Sequence, residues 1–272
     1  RKVQATMLRD ITIGQYYPAD SILHRLDPRV KFIGTLAYII SLFLFQSWGY
    51  LLGTLFLVVM IGLSKVPFKF MVRGLKSIVI LLLITLVFNM LFTPGEALIT
   101  VWKLQITKEG LILAGRMGIR LIFLIIGASI MTLTTTPNQL TDGLESLLGP
   151  LKKIHVPVHE ISMVMSIALR FIPILLEETD KIMKAQMARG ADFENGNLIQ
   201  KVKNMVPLLV PLFISAFRRA NDLALAMEAR CYHGGDGRTQ MKPLRYKKRD
   251  YIAYLILALY FGTSILGAVF GF

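Results

Sequence analysis

Five apolar stretches constrain the fold of this chain more than any single motif does. A helix needs about 20 apolar residues to cross the hydrocarbon layer of a membrane, with some tolerance for shorter segments. The five stretches occupy residues 30–45, 48–63, 78–92, 110–133 and 251–272. Because 54% of the chain is hydrophobic and its mean hydropathy is +0.57, the sequence predicts an all-α polytopic membrane protein with about five transmembrane helices.

The distribution of Lys and Arg sets the predicted orientation. The formal net charge is +14, from 31 Lys and Arg against 17 Asp and Glu. Cations dominate before the first span and in residues 64–77, so the positive-inside rule predicts a cytoplasmic amino terminus and an external carboxyl terminus in a cell membrane. Contact with the cytoplasmic face of the membrane and its anionic lipid explains the positive net charge, and no nucleic acid partner is expected. The first span is short, and we expect Lys31 at its start to snorkel to the surface.

Three regions are predicted along the chain. Residues 7–133 hold the first four spans, beginning at Met7, which we expect to be the natural start; residues 134–249 form a cytoplasmic region; and residues 250–272 hold the last span. The middle region is too apolar for an independent soluble domain and too charged for simple spans, so we expect it to lie along the membrane. Hydrophobic periodicity predicts three helices in it, over residues 137–148, 158–189 and 198–230.

The second and third of these helices share a layout. Each begins with an apolar stretch and becomes charged towards its end. Pro173 lies inside the second helix, and Pro207 and Pro211 lie inside the third. Because proline removes a backbone hydrogen bond, both helices are expected to bend, and these prolines are the candidate hinge positions.

Both helices also finish in closely similar sequences. The two ends are Ala188-Arg189-Gly190 and Ala229-Arg230-Cys231. An Arg in the last turn places a charge beside the unsatisfied carbonyls, a preceding Ala keeps the backbone approachable, and a following Gly ends the helix. Two interpretations remain open on spacing alone: ordinary helix capping, and docking of both ends to similar partners.

Two further segments complete a resemblance to a known family. They are Leu169-Arg170-Phe171-Ile172-Pro173 and Ser21-Ile22-Leu23-His24-Arg25-Leu26-Asp27-Pro28-Arg29-Val30-Lys31. Together with the paired helix ends, they make the chain resemble the transmembrane T component of energy-coupling factor transporters, which belong to the ABC transporters. The similarity covers nearly the whole chain from Met7, and it implies a prokaryotic cell membrane.

The resemblance implies a scaffold without catalytic activity. Arg189 and Arg230 would each insert into one of two ABC-type ATPase subunits, which bind the ATP and Mg, while a separate small membrane protein, the S subunit, captures a vitamin or an ion. Motion driven by ATP would pass through the bent helices. The chain departs from the family pattern at Cys231, where Gly is usual, and we expect Gly234 and Gly235 to end that helix instead.

Other function classes fit the sequence less well. The chain has no Gly-x-x-x-x-Gly-Lys-Ser/Thr loop, so ATP hydrolysis is expected only in partners, and its histidines and single cysteine show no metal-ligand pattern. No catalytic, cofactor or metal residues are therefore predicted. An intramembrane protease is disfavoured because Ile182 stands where the Glu177-Glu178 pair would need an Arg. A secondary transporter acting alone is the alternative, although the spans show no clear inverted repeat.

Arg116 and Arg120 are the remaining candidate functional residues. They lie four residues apart on one face of the fourth predicted span. Charges inside a membrane are expected to face protein or water, so these two either line a substrate path or anchor the helix at the outer interface.

Overall fold

A computed structural model describes residues 16–44, 49–95, 97–101, 104–191, 193, 197–234, 241 and 243–270. In this part of the chain helices dominate, which confirms the all-α prediction. The α-helices are α1 (Pro28–Leu44), α2 (Gly49–Ser64), α3 (Phe68–Phe92), α4 (Lys108–Thr134), α5 (Pro137–Leu148), α6 (Val158–Ala188), α7 (Leu198–Glu228) and α8 (Lys248–Phe270). A 3-10 helix, Gly149–Ile154, follows α5, and two short antiparallel strands, β1 (Ala97–Val101) and β2 (Leu104–Thr107), connect α3 to α4.

The predicted number of five spans is not confirmed. Among the described residues, α4, α6 and α8 are long and apolar enough to cross a membrane, and α3 is a fourth if its two parts, bent by 61°, form one span. The helices α1 and α2 fall short because they have only 17 and 16 residues. Helix α6, which we predicted on the cytoplasmic side, also meets the length and composition of a span. The side of the membrane on which each segment lies stays a prediction.

The chain divides into two compact units. The membrane unit comprises Gly14–Gly143 and Leu244–Phe272, and the helix-pair unit comprises Leu144–Pro243. The first part of α5 packs with the membrane unit: a Cβ atom on Gly143 would lie 3.0 Å from the Pro28 side chain. The division of the chain into membrane and cytoplasmic regions stays a prediction.

Aromatic rings form the centre of the membrane unit. The ring of Phe56 stacks on the rings of Tyr38 and Tyr260, with centroids 5.8 and 4.1 Å away. The Tyr260 hydroxyl also lies 2.8 Å from the Ser41 hydroxyl, so its polar atom is satisfied in a buried position. Gly127 makes this packing possible, since a Cβ atom there would lie 2.4 Å from the Tyr38 ring. The rings therefore join α1, α2, α4 and α8.

The first turn of α1 is tied to the end of α4 by a buried lysine. Lys31 is only 8% exposed, and its Nζ donates a hydrogen bond to the carbonyl of Thr134, the last residue of α4, at 2.8 Å. The carbonyl end of a helix attracts a cation. The prediction that Lys31 snorkels was therefore wrong, because an internal acceptor satisfies the ammonium group.

Asp27, the residue just before α1, is tied to α8 by a buried carboxylate. Asp250 is 1% exposed and accepts hydrogen bonds from the backbone N–H groups of Asp27, at 2.9 Å, and Lys247, at 2.7 Å. Arg29 pairs with Asp27 at 3.4 Å and donates to the Leu244 carbonyl at 2.8 Å. We call the four side chains of Asp27, Arg29, Lys31 and Asp250 the polar lock of the membrane unit.

Candidate functional site

The first predicted docking end closes α6 with a Schellman motif. Ala191 N–H donates to the Gln186 carbonyl at 3.0 Å, and Gly190 N–H donates to the Met187 carbonyl at 3.0 Å. This pattern requires a left-handed residue after the last helical one, and Gly190 supplies it with a φ of +90°. The motif leaves Arg189 as the capping residue of the helix.

The second end closes α7 with the same motif in the same frame. Tyr232 N–H donates to the Met227 carbonyl at 3.1 Å, and Cys231 N–H donates to the Glu228 carbonyl at 2.9 Å. Cys231 itself takes the left-handed conformation, with a φ of +55°. The two ends therefore match residue by residue, with Arg230 in the position of Arg189.

Our expectation that Gly234 and Gly235 end this helix was wrong. Gly234 does have a positive φ, +102°, but it lies three residues beyond the motif that Cys231 completes. Gly235 lies outside the described residues. A side chain other than Gly tolerates the left-handed region at a cost of about 1–2 kcal/mol, which the two capping hydrogen bonds help to offset.

The capping at both ends is done by the backbone, not by the arginine side chains. Arg189 and Arg230 are exposed, as are Ala188 and Ala229 before them. Neither guanidinium makes a hydrogen bond or an ion pair with another residue in the described ranges. Ordinary capping thus explains Gly190 and Cys231 but gives the two arginine side chains no partner among the described residues.

The two ends point away from each other along the helix pair. Helices α6 and α7 contact at Gln186 and Pro207, where Nε2 donates to the carbonyl at 3.3 Å, and at Glu178 and Arg219, an ion pair of 3.2 Å. The contact nearer the end of α6 involves the earlier residue of α7, so the two helices run in opposite directions. At a rise of about 1.5 Å per residue, each end lies about 17 Å beyond the Glu178–Arg219 pair, in opposite directions.

Comparison with known proteins identifies the family of the chain. A family model described as "Cobalt transport protein" matches residues 19–241. The energy-coupling factor transporter transmembrane protein EcfT of Clostridium kluyveri is 58% identical over 266 residues, which cover 97% of this chain and 98% of that protein. Proteins of the same name from Acidaminococcus fermentans and Lactococcus lactis are 53% and 46% identical, over 94% and 95% of this chain and 96% and 97% of theirs.

The chain belongs to the energy-coupling factor transporter transmembrane protein family. The resemblance inferred from the sequence motifs is confirmed, and the chain is a multi-pass membrane component of a transporter. The matched residues 19–241 include both helix ends and the segment of the polar lock that precedes α1.

The candidate hinge prolines in this family member lie inside helices that continue past them. Helix α6 runs through Pro173, and α7 runs through Pro207 and Pro211, without a break. Each proline lacks an N–H, so the carbonyl four residues earlier loses its helical donor. The role of these prolines as hinges stays a prediction.

One of these freed carbonyls has a partner that the sequence did not reveal. Pro211 leaves the Pro207 carbonyl without its helical donor, and the side chain of Gln186 donates to that oxygen at 3.3 Å. The proline thereby creates a contact point between α6 and α7. In the sequence, Pro211 indicates only that the carbonyl four residues earlier, at Pro207, lacks its helical donor. No local pattern marks Gln186 as the residue that replaces that donor.

The two arginines of α4 occupy different environments. Arg116 is exposed, whereas the guanidinium of Arg120 lies over the Phe43 ring, 5.2 Å from its centroid, and 4.0 Å from the Met117 sulfur. A cation over an aromatic face is stabilised without an anionic partner. Arg120 therefore has a packing role between α4 and α1, and its further role stays open to the two interpretations given above.

Proposed function

We propose that this chain is the scaffold that couples two cytoplasmic ATPase subunits to a small substrate-binding membrane subunit in an importer of a vitamin or another micronutrient. ATP and Mg bind and react in the ATPase subunits, and this chain performs no hydrolysis. The observation that carries the proposal is the pair of exposed arginines, Arg189 and Arg230, each set in the same Schellman frame.

Identical local geometry suits two copies of one kind of partner. A groove on the partner that fits the backbone and arginine of one helix end also fits those of the other end. The ends are up to about 33 Å apart along the helix pair, from two segments of about 17 Å, so one groove does not reach both. Since a guanidinium binds a carboxylate through two parallel hydrogen bonds, each ATPase groove is expected to contain an acidic residue.

An exposed apolar stripe on α7 supports a membrane partner. Four large side chains at helical spacing, each about half exposed or more, form this stripe: Val206, Val210, Phe213 and Phe217. Contiguous apolar surface of this kind marks a site for a protein partner or for lipid. We assign it to the substrate-binding membrane subunit.

The direct test is charge reversal at both ends. In the double variant Arg189→Glu and Arg230→Glu, an acidic groove would repel each end, so ATPase association should fall about thirtyfold or more per site, the effect of an interface hot spot. The measurement is the amount of ATPase recovered with the tagged chain from mild detergent, with uptake measured in parallel.

The control variant is Arg218→Glu, which reverses an exposed charge on α7 away from its end. It should leave ATPase recovery unchanged, and the double variant should still insert in the membrane. Normal assembly and uptake in the double variant would refute docking through these ends. A chain that purifies alone and still transports in liposomes would favour the secondary transporter.

The hinge role has its own test. Pro173→Ala restores the N–H that the Leu169 carbonyl lacks and should straighten α6. We expect slower uptake with little change in ATPase recovery, because the docking ends keep their own geometry. Unchanged turnover would remove the role assigned to this proline, while docking would remain testable through the arginines.

A further inference from the structure

An apolar groove lies in the membrane unit between α1, α2, α4 and α8. Its volume is about 600 Å³, within the roughly 300–1,000 Å³ of cavities that hold small molecules. Buried Val30 and Tyr38 form part of its floor, while Leu55 on α2 and Ile256 on α8 are exposed along its sides. The groove is therefore open to the surroundings of the helices and not sealed in the core.

The groove is long enough for an extended hydrocarbon chain. Its lining on α8 runs from Arg249 to Thr263, and the 14 steps between these residues span about 21 Å at a rise of about 1.5 Å per residue. One leaflet of a bilayer has a hydrocarbon thickness of about 15 Å, half of the full core. An acyl chain inserted from the end at Arg249 could follow the groove through its leaflet.

One end of the groove is cationic. Lys31 and Arg249 line this end, and no acidic residue is among the described residues that line the groove. Lys31 is already bonded to the Thr134 carbonyl, but the Nε of Arg249 is buried and has no hydrogen-bond partner in the described ranges. Since buried polar atoms are normally hydrogen-bonded, an acceptor that reaches the Arg249 guanidinium would satisfy a donor that the described residues leave unpaired.

We propose that the groove holds an acyl chain of an anionic phospholipid whose phosphate accepts hydrogen bonds from Arg249. The apolar length matches the acyl chain, and the cationic end matches the headgroup. Three exposed cations in the same segment, Arg245, Lys247 and Lys248, add to the attraction for anionic lipid. A polar substrate would find few partners here, because most of the groove lining is apolar.

The experiment compares two lipids on the full chain, stripped of lipid in detergent. Native mass spectrometry measures the fraction of chain that retains one molecule of phosphatidylglycerol or of phosphatidylcholine. We expect retention of phosphatidylglycerol to be about tenfold higher, and Arg249→Gln to abolish that difference, since a charge-assisted hydrogen bond is lost. Lys248→Gln is the matched control: it removes an exposed neighbouring cation and should keep the preference.

A second variant tests the groove itself. Ala253 lines the groove, so Ala253→Phe fills it and should reduce retention of both lipids while Arg249 remains. Equal retention of the two lipids by the unmodified chain would overturn the proposal. So would an effect of Lys248→Gln as large as that of Arg249→Gln, unchanged retention in Ala253→Phe, or displacement of the lipid by an added substrate-binding subunit, which would make the groove a protein interface.

Discussion

The polar lock and the two helix ends both carry cations in motifs that resemble the same family, yet they use charge in opposite ways. In the lock, Lys31 is buried and bonded to a helix carbonyl, and Arg29 is paired with Asp27. At the helix ends, Arg189 and Arg230 are exposed and lack partners among the described residues. A family motif therefore marks a position as important, while the surroundings of the charge separate a structural role from a binding role.

This contrast predicts that the two regions fail differently. Loss of a buried, bonded polar group leaves its partner unsatisfied and reduces stability. Loss of an exposed, unpaired charge leaves the fold intact and affects only what binds there. The arginine variants proposed above should therefore change assembly without changing the apparent melting temperature, and variants in the lock should do the reverse.

The largest effect on stability is expected for Asp250→Ala. It leaves the N–H groups of Asp27 and Lys247 without their acceptor, at about 1–3 kcal/mol for each group. We expect a clear fall in the apparent melting temperature of the detergent-purified chain. Asp222→Ala, which removes an exposed carboxylate from α7, is the control and should have no effect. Equal melting temperatures for the two variants would show that the lock does not stabilise the membrane unit.

A smaller effect is expected at Cys231, where the two helix ends differ. Cys231→Gly relieves the left-handed conformation and should stabilise the last turn of α7 by about 1 kcal/mol, whereas Cys231→Val should destabilise it. Amide hydrogen exchange at Cys231 and Tyr232 measures the difference. Gly190→Ala is the mirror experiment, since it should weaken the end of α6 by a similar amount. If none of these changes alters exchange, the backbone motif does not limit the local stability of the ends.

The smallest effect is expected from His24, which lies before α1 beside the lock. Its Nε2 lies 3.0 Å from the Tyr17 carbonyl, which can only accept, so Nε2 carries the proton and Nδ1 accepts from the Ser21 hydroxyl at 2.6 Å. This neutral form is favoured because burial lowers the pKa of His24 below its ordinary value of 6.5, and nearby Lys31 lowers it further, against opposing effects of the Tyr17 carbonyl and Asp20.

The lowered pKa of His24 determines how the stability of the fold depends on pH. The unfolded chain binds the proton more readily than the folded chain, so stability is lost as the pH falls through about 6.5. We expect a slight decrease in the apparent melting temperature between pH 7 and pH 5 that His24→Gln reduces. The same decrease in the variant would assign the pH dependence to other groups.

Local patterns in the sequence predicted the helices well. The bounds of α5 agree with the prediction, and those of α6 and α7 differ from it only at the capping residues, because hydrophobic periodicity and proline positions are local signals. The helix ends were located for the same reason. Their identical backbone motif was not predicted, since the choice between Cys231 and Gly234 depends on which residue accepts the left-handed conformation.

Contacts between distant parts of the chain were not predictable in this way. Lys31 and Thr134 are 103 residues apart, and Asp27 and Asp250 are 223 apart. The snorkelling prediction failed because the acceptor that Lys31 finds lies on another helix. The groove is likewise formed by α1, α2, α4 and α8 together, and no single segment of the sequence shows its length or its cationic end.

The left-handed cysteine makes two otherwise matching ends chemically distinct. Cys231 is the single cysteine of the chain, and its thiol is exposed beside Arg230. A thiol-reactive fluorophore would therefore label one end alone, with no engineered cysteine and no competing site. Binding of a partner at that end would change the emission of the probe while the end at Arg189 stayed unlabelled. The occupancy of one end can thus be followed separately in a scaffold whose two ends have the same backbone geometry.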